Sequence, residues 1–211
     1  MPQVERDGIA ERSCLERTRN ESRRQQVLQG ATQCFCRHGF HNASMAEIAK
    51  SAGMSVGHIY HYFESKEAII IAIVESQQQE VLALLDQVER SPGSLADALL
   101  AEAARGVDGC MDVASTALML EVLAEAARNP KVAEVVQASD LVLRRRMREV
   151  LTRAMGRADP ASVPGIEDRI ESLFTLFQGI PVRAIRNPEL DRERMVRIVH
   201  DTIRWILREP A

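Results

Sequence analysis

The sequence predicts an all-α protein of about nine helices, with an N-terminal three-helix head containing a helix-turn-helix and a larger helical C-terminal domain. Three observations predict it. No stretch alternates apolar and polar residues as a strand would, and from residue 20 onward the apolar residues recur at helical spacing. Gly, Pro and Asn punctuate those helical segments. The run Ser44 to Phe63, SMAEIAKSAGMSVGHIYHYF, has the residue types of a helix-turn-helix in order.

Residues 1–18 are polar and charged without apolar periodicity, and are expected to form a disordered arm. The first helix is predicted from about Asn20 to His38, with Val27, Leu28, Ala31, Cys34 and Phe35 on one face, Gly39 closing it and Phe40 returning to the core. Ser44 is an N-cap for the next helix, and Glu47 three residues later completes a capping box. Ala49 is small where the second helix passes over it, and Gly53 stands at the turn, where a left-handed backbone angle needs a residue without Cβ. Met54 is expected to plug the corner, Ser55 to open the second helix, and Ile59 and Tyr62 to return to the core. Such a unit lays its second helix in the major groove of duplex DNA.

A long fourth helix is predicted from Ser65 to about Glu89, nearly all apolar over Ala68 to Val74, with Val81, Leu82, Leu84, Leu85 and Val88 on one later face. Ser91-Pro92-Gly93 stops it. Further helices are expected over about 94–108, 112–128, 131–157, 166–187 and 191–208, broken by Gly109, Asn129-Pro130, the 158–165 loop and Asn187-Pro188. These elements divide the chain into an arm (1–18), a helix-turn-helix domain (19–66) and a C-terminal domain (67–211).

The last helix is apolar over an arc of roughly 200°, about twice what one core requires. Small Ser172, Thr175 and Gly179 lie among the large apolar residues of the helix before it. Both features predict a homodimer through a four-helix interface, with Leu173, Leu176, Gly179, Val199, Ile203, Trp205 and Ile206 as its residues. The alternative is a monomer whose last helix is simply buried.

The net charge of −3 is not that of a strongly basic protein. It is uneven, however: residues 1–70 hold nine Lys+Arg against eight Asp+Glu, or +1, and the remainder eighteen against twenty-two, or −4. Four of the five histidines also fall in the first segment, so a mild local basic bias is available for phosphate contacts. Cys14, Cys34, Cys36 and Cys110 form no paired framework. With no signal peptide and no apolar run read as a membrane span, the expected location is cytoplasmic, with no membrane partner. His58 and His61, three apart, lack a third ligand nearby in sequence, so neither a metal nor a cofactor is expected. No Gly-rich phosphate loop, H-E-x-x-H or nucleophile elbow supports an enzyme, although scattered catalytic residues would escape such a search.

These residues resemble the TetR family of bacterial transcriptional regulators. The resemblance rests on Ala31, Phe35, Gly39-Phe40, Ser44 to Ala49, Ala52 to Ser55, and Ile59 to Glu67, and is most specific from Gly53 to Glu67. It implies a homodimeric repressor whose two heads bind a palindromic operator and are released by a small-molecule effector of unknown chemistry. Carried onto this chain, it implies phosphate contact by Lys66 at the start of the fourth helix, and phosphate and base contacts by Tyr60 and His61. Ser44, Met45, Ser55, Val56, Gly57 and His58 complete the expected DNA face. The alternatives are structural: Tyr60 packed in the core, Ser44 a cap only, Lys66 an ordinary surface lysine.

The effector pocket implied by the resemblance would draw on Leu85, Cys110, Met119, Leu123 and Phe177, with ordinary core filling as the alternative. Arg144-Arg145-Arg146 with Arg148 form either an anion site or an ion-paired helix face. Against the ligand-responsive reading stands an architectural DNA binder without an effector.

Overall fold

The structure, a computed structural model, describes the backbone of residues 3–208 and the side chains of residues 18–208. Among the described residues there are nine α-helices and no strand. Two compact units divide the chain, Met1–Ile73 and Val74–Ala211.

In the first unit α1 (Gln3–Asn42) begins before the expected start near Asn20, and the side chains of residues 1–17 of the expected arm lie outside those described. The helical angles break at Gly39, whose φ of 75° ends the regular helix at the expected place. Beyond it Phe40 returns to the core and packs on Phe35 with ring centroids 5.3 Å apart. α2 (Met45–Ser51) starts on Ser44 with both halves of the capping box formed. The chain then turns through Gly53, at φ 64°, into α3 (Val56–Tyr62), capped by Ser55.

The head core is Val27, Ala31, Phe35, Ile48, Ala49, Ile59 and Phe63, with Ile69, Ile70 and Ile73 from the start of α4 (Lys66–Arg90) also buried. Those isoleucines explain why the division between units falls after Ile73 and not at the expected 66/67 boundary. Tyr62, expected in the core, is half-buried, and Phe63 is buried. α1 lies against the turn itself: a Cβ on Gly30 would stand 2.7 Å from the Ala52 nitrogen and 2.9 Å from its Cα. Gln26 Nε2 donates to the Ala52 carbonyl at 2.7 Å, and Arg23 donates to Gln26 at 3.0 Å.

The second unit contains the rest of α4 and α5 (Leu95–Met111), α6 (Val113–Ala126), α7 (Pro130–Ala154), α8 (Ile166–Arg186) and α9 (Arg192–Ile206). Ser94, Asp112, Asn129 and Asp191 cap α5, α6, α7 and α9 with their side chains. The break expected at Gly109 falls at Asp112, because α5 runs through that glycine. α5 is the central helix, packed on α6, α7, α8 and α9. Its Leu99, Ala103 and Val107 join Leu85, Val88, Val150, Leu151, Ile170 and Ile180 in one core.

Among the described residues α4 is also the one helix long and apolar enough, by length and composition, to cross a membrane, which the sequence reading had not found. Ile69, Ile70 and Ile73 in its first half contribute to that apolarity and are buried in the head core, and 33% of the apolar stretch is buried in all.

The approach of α1 to the turn yields a prediction. Gly30→Ala places a methyl against backbone that cannot yield as a flexible side chain would, and should destabilise the head by about 2 kcal/mol. Urea unfolding followed by circular dichroism measures it, and a variant as stable as the wild type would refute the contact.

Candidate nucleic-acid interface

The exposed face of α3 is built by what holds the helix down. Ile59 is fully buried and Phe63 nearly so, fixing the inner side. Ser55 Oγ accepts from the His58 N–H at 3.2 Å, fixing the start. Val56, Gly57, His58, Tyr60 and His61 are left exposed. Tyr60 is 52% exposed, so its ring is not part of the core and its hydroxyl is available outside. A Cβ on Gly57 would meet nothing within 4 Å, so a groove wall can approach the helix backbone there. His58, His61 and Tyr62 form an aromatic cluster, with centroids 5.4 Å apart for His58–Tyr62 and 5.2 Å for His61–Tyr62. No group of three or more metal-ligating side chains occurs among the described residues.

Ser44 and Glu47 form the edge of α2. The Ser44 N–H donates to Glu47 at 2.8 Å, its hydroxyl donates at 2.9 Å, and the Glu47 N–H donates back to that hydroxyl at 3.2 Å. These bonds, first the backbone N–H and then the hydroxyl, hold the Glu47 carboxyl below its ordinary range. Met45 beside it is half-buried.

Lys66 is engaged within its own chain. Its ammonium donates to the carbonyls of Phe40 (2.5 Å) and His41 (3.0 Å) and stands 4.6 Å from the Phe40 ring centroid. Sequence reasoning missed this because the partners are 25 and 26 residues away. It also missed an open cleft of about 400 Å³ between α1 and α3, lined by Asn20, Glu21, Arg24, His61 and Tyr62. The Arg24 guanidinium lies 5.1 Å from the Phe63 ring centroid.

In the second unit the expected dimer residues separate. Leu173, Val199, Ile203 and Ile206 are buried in the unit's own core, so they are not the surface the sequence reading took them for. Each stands on the inner side of an amphipathic helix, and the outer side leaves Val182, Ile185, Ile198 and Trp205 exposed. Leu176 is half-buried against the core, and Gly179 opens outward, with nothing within 4 Å of a Cβ built on it.

Of the expected pocket residues, Leu85, Cys110 and Phe177 pack in or against the core cluster, and Phe177 stands on Gly106. Met119 is half-buried, but Leu123 is 47% exposed, on the outer side of α6, and lines no interior space.

Three of the four arginines of the α7 run are bound up in ion pairs within the chain. Arg144 pairs with Glu171, Arg148 with Glu167, and Arg146 with Asp86, Glu89 and Glu149. These partners explain the run without an anionic effector. Cys34 is buried, and burial pushes its thiol up, which disfavours the reactive thiolate.

Comparison with known proteins agrees with this architecture. The family model for bacterial regulatory proteins of the tetR family matches residues 27–73, and that for the C-terminal region of BetI-type transcriptional repressors matches residues 108–208. The HTH-type transcriptional regulator UidR of Escherichia coli K12 is 32% identical over 136 residues, which is 60% of this chain and 63% of UidR. The matched region thus spans less than two thirds of that relative. Among solved structures, Salmonella enterica GusR superposes with a TM-score of 0.67 at 28% identity, covering 88% of this chain and 95% of GusR. A transcriptional regulator from Saccharomonospora viridis, solved in complex with choline, superposes at 0.68 with 17% identity, over 87% of this chain and 96% of that one.

The capping box is testable. Ser44→Ala should cost about 1 kcal/mol and raise the Glu47 pKa part of the way back, since the backbone bond survives. Because the folded carboxyl titrates low, its contribution is present above the ordinary carboxylate pKa and is lost as pH falls through the depressed value. NMR titration of Glu47 reads the change; an unaltered curve in Ser44→Ala would show that the hydroxyl does nothing to the carboxylate.

Proposed function

Because the chain belongs to the TetR family of bacterial regulatory proteins, we propose that it is a DNA-binding transcriptional repressor, acting as a homodimer on a palindromic operator and released by a small molecule. The observation that carries this reading is the exposed face of α3. Val56, Gly57, His58, Tyr60 and His61 stand outward on a helix whose inner side is fixed by Ile59 and Phe63. A seven-residue helix with apolar, hydroxyl and imidazole groups outward suits insertion into a major groove. Val56 offers an apolar contact to a thymine methyl, and Tyr60 and His61 offer hydrogen bonds to phosphate or base. Ser44, Met45 and Ser55 flank this face from the two helix starts.

Dimerisation is supported by apolar surface on the last two helices. Trp205 is 61% exposed, Ile185 51%, Ile198 42% and Val182 40%. Exposed apolar side chains on both of these helices favour a second copy packed against them. Two identical heads would then read two half-sites related by the same twofold axis, hence the palindrome.

The second unit is the proposed effector-binding and dimerisation domain. The choline complex of the S. viridis regulator supports small-molecule binding by this fold, and the effector of this chain is left open in its chemistry. An effector would act by preferring one conformational state of the protein over another, and DNA binding would weaken its affinity reciprocally. UidR and the S. viridis protein are transcriptional regulators, in keeping with a regulatory and not an enzymatic role. A cytoplasmic location follows from this function as part of the same proposal.

Selection of duplexes from random sequence by the purified chain tests the DNA reading: enrichment of a palindrome is expected, and recovery of no preferred sequence would sink it. The dimer is tested at Gly179. In its own chain a Cβ there meets nothing within 4 Å, so Gly179→Leu should leave the thermal stability of the fold intact while weakening dimerisation. Sedimentation, with the fluorescence of the single tryptophan as a second readout, should show dissociation at concentrations where the wild type remains paired. A variant as dimeric as the wild type would place the interface elsewhere.

A further inference from the structure

Lys66, the cation that the resemblance assigns to phosphate, has its ammonium bonded to the Phe40 and His41 carbonyls and set against the Phe40 ring. Moving it to DNA would strip two carbonyls of a donor at the end of α1. Another cation in the head is better placed. Arg24 projects from α1 into the cleft between α1 and α3, and makes no ion pair among the described residues. Its guanidinium lies against the Phe63 ring, a packing that holds an arginine in place while leaving its N–H edge open for an oxyanion.

His61 connects this cleft to the recognition helix, since it forms one wall and is also part of the exposed α3 face. Tyr62 adds a hydroxyl and Asn20 an amide to the same wall set, and among the described residues Glu21 is the one carboxylate there. A groove about 400 Å³ in volume, with these donors, accommodates a phosphodiester of a duplex whose major groove holds α3.

We propose that the cleft of Asn20, Arg24, His61 and Tyr62 is a phosphate seat of the DNA interface, with Arg24 as its counterion, and that Lys66 is a positioning residue joining the end of α1 to the start of α4. The inference rests on the DNA-binding reading. It differs from the resemblance in which cation neutralises phosphate. Arg24 releases a counterion on binding, whereas the Lys66 ammonium, still charged, has its N–H bonds directed at two carbonyls of its own chain. Glu21 opposes the phosphate and tempers the affinity.

The test measures, for the full-length chain, the dependence of affinity on salt, using a duplex selected by the wild type and a random duplex as probes. Arg24→Gln should weaken binding about tenfold at low salt on both probes and reduce the log–log salt slope by about one. Arg24→Lys should restore most of the slope. Glu21→Gln, on an exposed residue that folding does not need, should tighten binding by several-fold at low salt. Lys66→Met should lower the melting temperature and the affinity while leaving the slope unchanged. An unaltered slope in Arg24→Gln, no effect of Glu21→Gln, or a flattened slope in Lys66→Met would each overturn the proposal with the DNA-binding reading intact. A wild type that bound neither probe would remove that reading and the proposal with it.

Discussion

Gly30 lets α1 lie against the backbone of Ala52, and the geometry of the head follows from that approach. Packed helices ordinarily keep their axes 8–10 Å apart, the separation being set by side chains at the crossing. Here one side of the crossing has no side chain at all. The Ala52 carbonyl would be left without a partner where the turn bends, and Gln26 of α1 donates to it. Position and hydrogen bonding thus tie the turn to α1 together. α3 follows two residues after Gly53, so its direction inherits whatever α1 imposes on the turn. Ile59 and Phe63 then fix its rotation about its own axis, which decides which residues face outward.

The second unit is organised by a different constraint, the width of its amphipathic helices. α9 is apolar over far more of its circumference than one core requires, and the structure divides that circumference in two. Met195, Val199, Ile203 and Ile206 face inward around α5, and Ile198 and Trp205 face out. The same division runs along α8, with Ile170, Leu173 and Ile180 within and Val182 and Ile185 outside. Charged residues between the helices are matched locally. Arg192 grips Asp108 through both carboxylate oxygens, and Arg146 joins α7 to Asp86 and Glu89 of α4. Most of these pairs are substantially exposed, so they set register more than they add stability.

What was legible in the sequence was local. The capping box of Ser44 and Glu47, the breaks at Gly39 and Gly53, and the Asn129-Pro130 start of α7 depend on residues within four positions of one another, where spacing alone fixes the geometry. What was not legible depends on distance across the fold. Gln26 meets Ala52, Lys66 meets Phe40, and Arg146 meets Asp86 over separations of 26, 26 and 60 residues. The arc of α9 is wider than one core requires, but periodicity has no means of saying which half faces home. For that reason periodicity alone does not separate Leu173, Val199, Ile203 and Ile206, which face the unit's own core, from the outward Ile198 and Trp205, nor does it show that α6 turns Leu123 out. The role of Gly30 is not legible either, because a glycine within a helix reads as a weakness until its neighbour is known.

A net charge of −3 on a DNA-binding reading is resolved by where the charges are spent. In the second unit the carboxylates of Asp86, Glu89, Asp108, Glu167 and Glu171 each face an arginine, so their field is largely cancelled before it leaves that surface. Screening removes most of the remainder beyond roughly 10 Å at ordinary ionic strength. In the head Glu47 is tied to the start of α2, and α3 from Val56 to Tyr62 carries no carboxylate. The α3 face that would meet DNA therefore carries no carboxylate of its own, Glu21 standing beside it on α1, and it is not strongly basic. Few cations on that face mean few phosphates neutralised per head, and so a small sequence-independent affinity. Discrimination then has to come from the fit of α3 in the groove, which returns the burden to the packing that aims it: Ile59 and Phe63 below, and Gly30 against Ala52 behind.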